Sequence, residues 1–337
     1  MSGTMLTYVI IFVKLSLILG ITLTLAAYMV LAERKLLARM QNRFGPNRVG
    51  PYGLLQPLAD LIKLITKEDI MPDEADSVVY YIAPGIVAGT VLLTFAVVPF
   101  GGPVEVMGRT VNMPVIDLNV GVLYILALSS LGVYGVALAG WSSGSKYSLL
   151  GGIRGSAQMI SYELSMGLAI VPVVMLTGSF SLTDIVLAQK AVPFIVYSPL
   201  GFLVFLISVA AESKRVPFDL PEAENELVAG YHTEYSGMRF GLFFVGEYIN
   251  IIVLSALAVT FFLGGWNGPG PAWLSLFWFF LKASFIAFFF IWMRATLPRL
   301  RYDQLMHFGW KALVPLSLVN VVITGALALY FGWGGPK

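Results

Sequence analysis

Residues 212–240 read ESKRVPFDLPEAENELVAGYHTEYSGMRF, a polar segment that separates two long apolar runs. It carries six acidic residues, in a chain that is 58% hydrophobic and only 12% charged. A carboxylate next to hydrocarbon is costly, so acids clustered between membrane-spanning segments indicate a functional site. The segment predicts an acidic loop that ends one span and begins the next.

Local chemistry predicts a helix inside this loop. Asp219 is expected to cap it, Glu222 to complete a capping-box-like pair, and Pro221 to fit in the first turn. Glu222 and Glu226 would then share one helix face, and Glu224 would point elsewhere. A plainer interpretation is that these acids only complement the positive end of a helix.

Composition places the whole chain in a membrane. A chain of 337 residues with a mean hydropathy of +0.82 has too much apolar surface for a soluble core. We predict one all-α membrane domain, 1–337, with about eight transmembrane helices and no convincing internal repeat. The candidate spans are residues 6–32, 79–99, 119–141, 157–176, 198–211, 241–263, 274–295 and 310–332.

The sequence also argues against several kinds of site. It contains no cysteine, which excludes disulfides, thiolate-held zinc and cysteine-ligated iron–sulfur clusters in this chain. His232 and His307 lie far apart, so we expect no metal site. A net charge of +2 without a basic stripe predicts no nucleic-acid partner.

The distribution of basic residues predicts the orientation. Sixteen of the 21 Lys and Arg residues lie on one side of the predicted spans, three on the other side and two within spans. Since basic loops stay on the cytoplasmic or matrix side, both termini are predicted to face outward. The loops 33–78 and 212–240 then face inward.

The loop 33–78 predicts an interfacial helix. Apolar residues recur at helical spacing within YGLLQPLADLIKLITKE, namely Leu54, Leu55, Leu58, Leu61, Ile62 and Ile65. Asp60, Lys63, Lys67 and Glu68 fill much of the remaining surface. This pattern is typical of an amphipathic helix that lies on the membrane or against a partner, and the sequence leaves both open.

Two predicted spans carry an acid inside them. Glu163 lies about two turns into the fourth span, and Glu247 about two turns into the sixth. Each could be the structural partner of a base within a span, for which Lys14 and Lys282 are available. Two such acids, with a carboxylate-rich loop on the same side, favour a hydrated proton relay. Arg215, between Glu212 and Asp219 in the chain, is expected to pair with these neighbours and hold the loop.

Four long segments resemble one family. LAERKLLARMQNRFGPNRVGPYGLLQPLADLIKL, GGIRGSAQMISYELSMG, the 212–240 loop and WMRATLPRLRYDQLMHFGWK are similar to the quinone-tunnel membrane subunit of respiratory complex I, the proton-translocating NADH:quinone oxidoreductase. They occur in order over essentially the whole chain. The resemblance implies an essential subunit of an enzyme, at the heel of the membrane arm, that provides the quinone with access from the bilayer.

The resemblance also implies functional residues. Its proton relay and coupling acids match Glu163, Glu212, Glu222, Glu224, Glu226, Glu247 and Asp60. Residues near its quinone tunnel match Arg34, Arg43, Arg215, Phe218, Asp219, Arg294 and Arg301. The residues that ligate the quinone headgroup belong to a neighbouring subunit in this family, so neither His232 nor His307 is assigned that role.

Partners and location are implied in the same way. The chain itself is expected to bind no cofactor, since FMN and the iron–sulfur clusters lie in partner subunits and quinone is the substrate. The partners would be peripheral-arm subunits at the quinone site, neighbouring membrane-arm subunits and lipid. The Gly- and Ala-rich composition favours a bacterial inner membrane over a mitochondrial one.

Alternative functions follow from the same residues. A stand-alone ion transporter would explain the intramembrane acids, although the absent repeat and the basic inner loops argue against it. The equivalent subunit of a membrane-bound hydrogenase or formate-oxidising complex would share the acids without always reducing quinone. A pure scaffold would leave those acids unexplained.

Overall fold

Each apolar run predicted to span the membrane forms a helix in the computed structural model. The structure describes residues 3–102, 104–106, 109–111 and 116–332, without the side chains of 3–11, 13, 104–106, 109–111, 224, 225 and 272. The helices are α1 (Gly3–Met40), α2 (Gln56–Thr66), α3 (Ser77–Phe95), α4 (Gly121–Ser142), α5 (Lys146–Thr177), α6 (Leu182–Ala188), α7 (Phe194–Tyr197), α8 (Pro199–Glu212), α9 (Glu224–Leu227), α10 (Gly237–Phe262), α11 (Ser275–Thr296), α12 (Tyr302–Phe308) and α13 (Val314–Phe331). A helical, multi-pass membrane protein is confirmed.

The described chain contains seven helices long and apolar enough to cross a bilayer. The remaining predicted span, α8, has 14 residues and is therefore only about 21 Å long. The short helix α7 precedes it, and the chain breaks between them at Ser198, whose backbone is not helical. The fifth predicted span, residues 198–211, is thus shorter than predicted and interrupted, and the outward position of both termini stays a prediction.

Smaller elements complete the architecture. The strands β1 (Val104–Val106) and β2 (Arg109–Val111) pair antiparallel in the loop after α3. Short 3-10 turns occupy Pro51–Gly53, Gly230–His232 and Ala272–Leu274, and a π-turn at Gly309–Leu313 joins α12 to α13. The span α10 is the most deeply buried, with 67% of its apolar window inside the protein, and it forms the centre of the helix bundle.

Two spans begin or end beyond their apolar runs. The helix α1 continues through Glu33 to Met40 because Glu33 is buried and paired with cations from other elements. The helix α5 starts at Lys146, since its polar first third packs closely on α4. A Cβ on Gly152 would lie only 3.1 Å from Gly140 Cα, so a larger residue there would require the two helices to shift apart.

The predicted amphipathic helix is confirmed as α2. Its apolar residues Leu58, Leu61, Ile62 and Ile65 remain 43–62% exposed. Leu64 instead contacts α10 near Gly241. The exposed apolar stripe is therefore available to the membrane or to another chain.

The prediction of a helix that is capped by Asp219 and has Pro221 in its first turn is wrong in extent and in its cap. The helix α9 is a single turn whose N-cap is Ala223, in a left-handed conformation, and its start has no side-chain capping bond. Asp219 caps nothing, and Glu222 precedes the helix. Contacts from elsewhere in the chain fix this segment, so the local capping preference does not decide it.

A substitution at Gly230 would test how tightly the acidic loop is packed. Its φ is +61°, and a Cβ there would lie 1.7 Å from the Pro221 carbonyl oxygen. We expect Gly230→Ala to reduce strongly the amount of subunit recovered in assembled membranes, measured by immunoblot, because the backbone it would displace cannot swing aside.

Gly178→Ala is the matched control. Gly178 has a φ of +72°, and a Cβ added there would have no neighbouring atom within 4 Å. Alanine therefore adds about 1–2 kcal/mol of left-handed strain without any overlap, and we expect nearly normal recovery. Equal recovery of the two variants would show that the Gly230–Pro221 contact does not constrain the loop.

Candidate functional site

The loop after α8, residues 213–223, folds back onto α5. Gln158 of α5 is fully buried, and its Nε2 donates hydrogen bonds to the carbonyls of Ala211 at 2.7 Å and Phe218 at 2.8 Å. The Phe218 ring packs against Tyr162, with centroids 5.5 Å apart. One amide side chain thus fixes both ends of the turn that carries Lys214 and the residues after it.

A buried ionic cluster forms where this loop meets α1, α10 and α11. Arg215 Nη1 lies 3.3 Å from Glu33 Oε1, and its Nε lies 3.2 Å from Glu247 Oε1. The second contact has ion-pair distance without hydrogen-bond alignment. Arg294 also donates to Glu33, and the Arg215 guanidinium lies 4.4 Å from the centroid of the Tyr248 ring. We refer to these five residues as the Arg215 cluster.

The expected pairing of Arg215 with Glu212 and Asp219 is therefore wrong. Its partners lie on α1 and α10, which sequence spacing within the loop does not reveal. Burial opposes the charge on Arg215, but the carboxylates of Glu247 and Glu33 raise its pKa above the usual value. Arg215 therefore stays a cation. Its removal would leave the buried carboxylates of Glu33 and Glu247 without this cationic partner.

A cavity of about 50 Å³ lies between α3, α4, α5 and α10. Three charged side chains line it, from Glu212, Lys214 and Glu247. Further polar groups on its wall come from Thr90, Thr94, Ser129 and Asn250. A water molecule needs about 10–15 Å³ and two to four polar partners, so this space is large enough and polar enough to accommodate water beside Glu212 and Glu247.

Two consecutive serines of α4 bind two of the acids. Ser129 Oγ donates to Glu212 Oε1 at 2.5 Å, and Ser130 Oγ donates to Glu163 Oε1 at 2.6 Å. Glu212 is only 4% exposed, whereas Glu163 is half-buried and Ser130 is exposed. The acids therefore lead from the cavity to the lateral surface of this chain.

The inner rim of the cavity is formed by charged and aromatic side chains. Lys214 Nζ lies 4.9 Å from the centroid of the buried Tyr231 ring, and burial lowers the pKa of Lys214 against the opposing effect of Glu247, Glu222 and Glu212. His232 Nε2 lies 3.4 Å from Glu222 Oε1. Burial alone would raise the pKa of Glu222, but the hydrogen bond from His232 and the charges of Arg215 and Lys214 lower it. Glu222 is therefore the ionised acid of the rim.

Asp219 has a different environment. Its Oδ1 is buried without a hydrogen-bond partner among the described residues. Burial and the nearby Glu222 raise the pKa of Asp219 to about 7, although Arg299, Arg294 and Arg215 lower it. Near neutral pH it is therefore the acid of this loop that changes charge most readily.

Other predicted relay residues lie outside this group. Asp60 accepts from Arg34 at 2.7 Å and from Gln56 at 2.9 Å, which joins α1 to α2 at the surface. Glu226 is half-exposed and pairs with Arg154 at 2.6 Å. The side chain of Glu224 lies outside the described residues. The structure thus brings together Glu163, Glu212, Glu222 and Glu247 from the predicted acids.

The predicted tunnel residues divide in the same way. Arg215, Phe218, Asp219 and Arg294 meet at the folded loop. Arg34 lies apart, at the contact between α1 and α2. The last two are exposed, with local partners: Arg43 donates to Gln41 at 2.8 Å, and Arg301 pairs with Asp303 at 2.8 Å.

Two apolar clefts lie close to the charged residues. The first, of about 220 Å³, separates α1, α10 and α11, with Met29, Ile252 and Ala283 on its three walls. Its wall residue Ala32 directly precedes Glu33 of the Arg215 cluster. The second, of about 390 Å³ with an almost wholly apolar lining, lies between α8, α11 and α12 beside Pro217 and Phe218.

Several residues of the site were not predicted. Glu33 is buried at the end of an apolar run. It was missed because the sequence Glu33-Arg34-Lys35 was interpreted as the start of an exposed loop. Ser129, Ser130 and Gln158 look neutral in apolar helices. Lys282, considered as a partner for a buried acid, instead donates to the carbonyls of residues 263, 265 and 267.

Among the described residues, no three His, Asp or Glu side chains are placed to hold a metal ion.

Known proteins resemble the chain along nearly its whole length. A family model described as NADH dehydrogenase matches residues 13–325. The H subunit of NADH-quinone oxidoreductase numbered 1 in Geobacter metallireducens is 68% identical over 313 residues, 93% of this chain and 94% of the relative. The H subunit numbered 2 in Geobacter sulfurreducens is 65% identical over 331 residues, 98% and 100% of the two chains. The H subunit of Thermomicrobium roseum is 52% identical over 338 residues, 97% and 96%.

The raised pKa of Asp219 predicts a pH-dependent contribution to stability. An acid with a pKa of about 7 when folded and about 4 when unfolded favours the folded state while protonated. This advantage is complete below about pH 4 and disappears as the pH rises through about 7. Asp219→Asn cannot ionise, so it should lose less stability than the unchanged protein between pH 6 and pH 8.

The measurement is the temperature of inactivation of the detergent-solubilised assembly at both pH values, for both proteins. Only the difference between the two pH effects is attributed to Asp219, since other groups titrate in the same range. Asp303→Asn, which alters an exposed acid, should leave the pH effect unchanged. An identical pH effect with and without Asp219 would show that its carboxyl does not titrate in this window.

Proposed function

The chain belongs to the NADH dehydrogenase family, and from this premise we propose that it is the membrane subunit through which an NADH:quinone oxidoreductase couples quinone reduction to proton translocation. Its relatives are named as the H subunit of that enzyme, which favours it over a hydrogenase subunit or a stand-alone transporter. The observation that carries the proposal is the cavity with Glu212, Lys214 and Glu247 on its wall. Ionisable groups inside a membrane protein around a hydratable space are typical of proton paths.

The quinone would reach the protein through the cleft between α1, α10 and α11. A long isoprenoid tail requires an apolar passage that opens to lipid, and this cleft has an almost entirely apolar lining. On α1 the charged residue Glu33 follows the cleft residue Ala32, and on α10 Glu247 lies about one turn inward of Ile252. The cleft therefore leads from the bilayer towards the Arg215 cluster.

The Arg215 cluster would transmit the charge change at the quinone. Reduction to quinol takes up two electrons, which partner subunits supply from NADH, and two protons. A change in charge beside Glu33 or Arg294 would be felt by Arg215, which contacts Glu33. Arg215 would pass it to Glu247, because Arg215 Nε lies 3.2 Å from Glu247 Oε1. In a low-dielectric interior such a change strongly shifts the protonation of nearby acids.

The relay would then run from Glu247 through the cavity to Glu212 and on to Glu163. Glu247 and Glu212 line the same water-sized space, and the serine pair of α4 links Glu212 to Glu163. Glu222 and His232 lie at the inner rim, where protons from the aqueous side would enter. Asp60 and Glu226 would contribute only at the inner surface, and the role of Glu224 stays a prediction.

Partner subunits would cover the remaining features. The apolar stripe of α2 and the half-buried Glu163 with the exposed Ser130 are costly next to lipid or water. We assign the first to the contact with the peripheral arm, which carries FMN and the iron–sulfur clusters, and the second to a neighbouring membrane-arm subunit. The chain is an integral protein of a bacterial membrane, and the inner membrane is the location that this function requires.

Glu212→Gln tests the relay. Glutamine keeps the shape and can still accept the Ser129 hydrogen bond, but it carries no exchangeable carboxyl proton. We expect NADH:quinone turnover of the intact complex to fall about tenfold or more, with NADH oxidation by a hydrophilic acceptor unchanged. Glu68→Gln, at an exposed position, is the control. Loss of both activities in Glu212→Gln would show that the acid holds the complex together instead.

Ala283→Phe tests the cleft. Ala283 lines it, so the larger side chain should raise the KM for a long-tailed quinone about tenfold, equal to about 1.4 kcal/mol of tail binding. The KM for a quinone with a short tail should change little, because its tail does not extend along the cleft. Leu281→Phe adds bulk to the same helix at a 49% exposed position and should affect neither. An equal rise for both quinones would place the tail elsewhere.

A further inference from the structure

The serine pair of α4 lies between two acids on different helices. Ser129 donates to Glu212 at the end of α8, and Ser130 donates to Glu163 in the middle of α5. No hydrogen bond joins Ser129 to Glu163 in this arrangement, but the two groups are neighbours because Ser129 directly precedes Ser130 on α4. Ser129 is therefore hydrogen-bonded to Glu212 and lies beside Glu163, while Ser130 Oγ donates both to Glu163 and to the Leu126 carbonyl at 3.0 Å.

The hydrogen-bonding capacity of a hydroxyl gives this arrangement a direction. Serine has one donor hydrogen and two acceptor lone pairs, whereas an ionised carboxylate only accepts. When Ser129 donates to Glu212, it has no second hydrogen for Glu163. It can then interact favourably with Glu163 only by accepting a hydrogen from the protonated carboxyl of that residue.

The same arrangement places the pair where a transfer is needed. Ser129 lines the cavity beside Glu212, and Glu212 Oε2 is buried without a hydrogen-bond partner in the described part of the chain. Glu163 and Ser130 lie nearer the lateral surface. The Ser129 hydroxyl therefore lies on the side of Glu212 that faces Glu163, between the cavity and that surface.

We propose that Ser129 is a proton-relay residue between Glu163 and Glu212, and that Ser130 positions Glu163 for the transfer. This inference rests on the relay proposed above. In the step, the Glu163 carboxyl O–H bond breaks and its proton bonds to Ser129 Oγ, while the original Ser129 proton bonds to the Glu212 carboxylate. The negative charge moves from Glu212 to Glu163, the serine stays neutral, and rotation of its hydroxyl restores the starting arrangement. The reverse step uses the same bonds.

Two plainer roles must be distinguished from this one. The hydroxyls could only hold the carboxylates in place, since a hydrogen bond to a charged group is stabilising in itself. Alternatively, water in the cavity could carry the proton past Ser129. A structural role predicts loss of assembly, and transfer by water predicts no effect of removing the hydroxyl.

The test uses the intact complex in membrane vesicles with Ser129→Ala and Ser129→Thr. We measure NADH:quinone turnover, coupled proton uptake with a pH-sensitive dye, and NADH oxidation by a hydrophilic acceptor, each in H₂O and D₂O. Ser129→Ala should lower quinone turnover and proton uptake about tenfold and increase the solvent isotope effect, because proton transfer becomes the slow step. Ser129→Thr keeps the hydroxyl, and the cavity beside it has room for a methyl group, so it should restore most of both activities.

Ser208→Ala is the matched control. Ser208 is fully buried on α8, one turn before Glu212, and its hydroxyl has no partner among the described residues. Its removal should leave the rates and the isotope effect unchanged. Ser130→Ala should lower the quinone rate less than Ser129→Ala, because it removes a positioning contact and keeps the Ser129 hydroxyl.

The outcomes separate this inference from the relay itself. If Glu212→Gln slows turnover and Ser129→Ala does not, the relay stands and the serine bridge is overturned. If neither variant has an effect, both proposals fail. If Ser129→Ala and Ser129→Thr lose the hydrophilic-acceptor activity as well, or lose rate without a change in isotope effect, the serine is structural and the inference is overturned.

Discussion

The burial of Arg215 between Glu33 and Glu247 is the constraint on which the rest of the structure depends. A guanidinium in the interior of a membrane protein is tolerated only when carboxylates and an aromatic face surround it. Meeting that requirement draws the end of α1, the middle of α10 and the loop after α8 to one point, and Arg294 brings the end of α11 to the same carboxylate. The apolar cleft lies immediately outward of this point. In the function proposed above, a lipid-soluble substrate in that cleft would stop at this cluster.

The sequence predicts the parts of this structure that depend on composition and on the period of apolar residues. Long apolar runs and the stripe of α2 are properties of single segments, and each of them forms a helix, although the run 198–211 forms one that is shorter than a span. The capping prediction at Asp219 failed because it used only local preference. The buried amide of Gln158, some 60 residues earlier, holds that turn in place. Asp219 lies near Arg299 of the loop after α11 and near Arg294 of α11, and it does not face a helix start.

The candidate site shows the same division. The acids were found because a carboxylate in an apolar span is conspicuous in any sequence. Their partners were not, since Glu33 is 182 positions from Arg215 and no spacing rule connects them. Ser129 and Ser130 were not predicted for a different reason. Serine is common in membrane helices, and these two become part of the site only because the fold places acids from two other helices beside them.

These features together explain why the acids are arranged as a series with unlike environments. Glu222 at the rim is kept ionised by His232, Lys214 and Arg215, so it can attract a proton from water without holding it firmly in the interior. Asp219, with a pKa raised to about 7, responds to charge near the folded loop. Glu212 faces the cavity with one oxygen satisfied by Ser129 and the other unsatisfied, so gain or loss of a proton there requires no large rearrangement. A relay requires acids with different proton affinities. A change in charge at one end then alters those affinities unequally, and the proton moves to the acid that binds it more tightly.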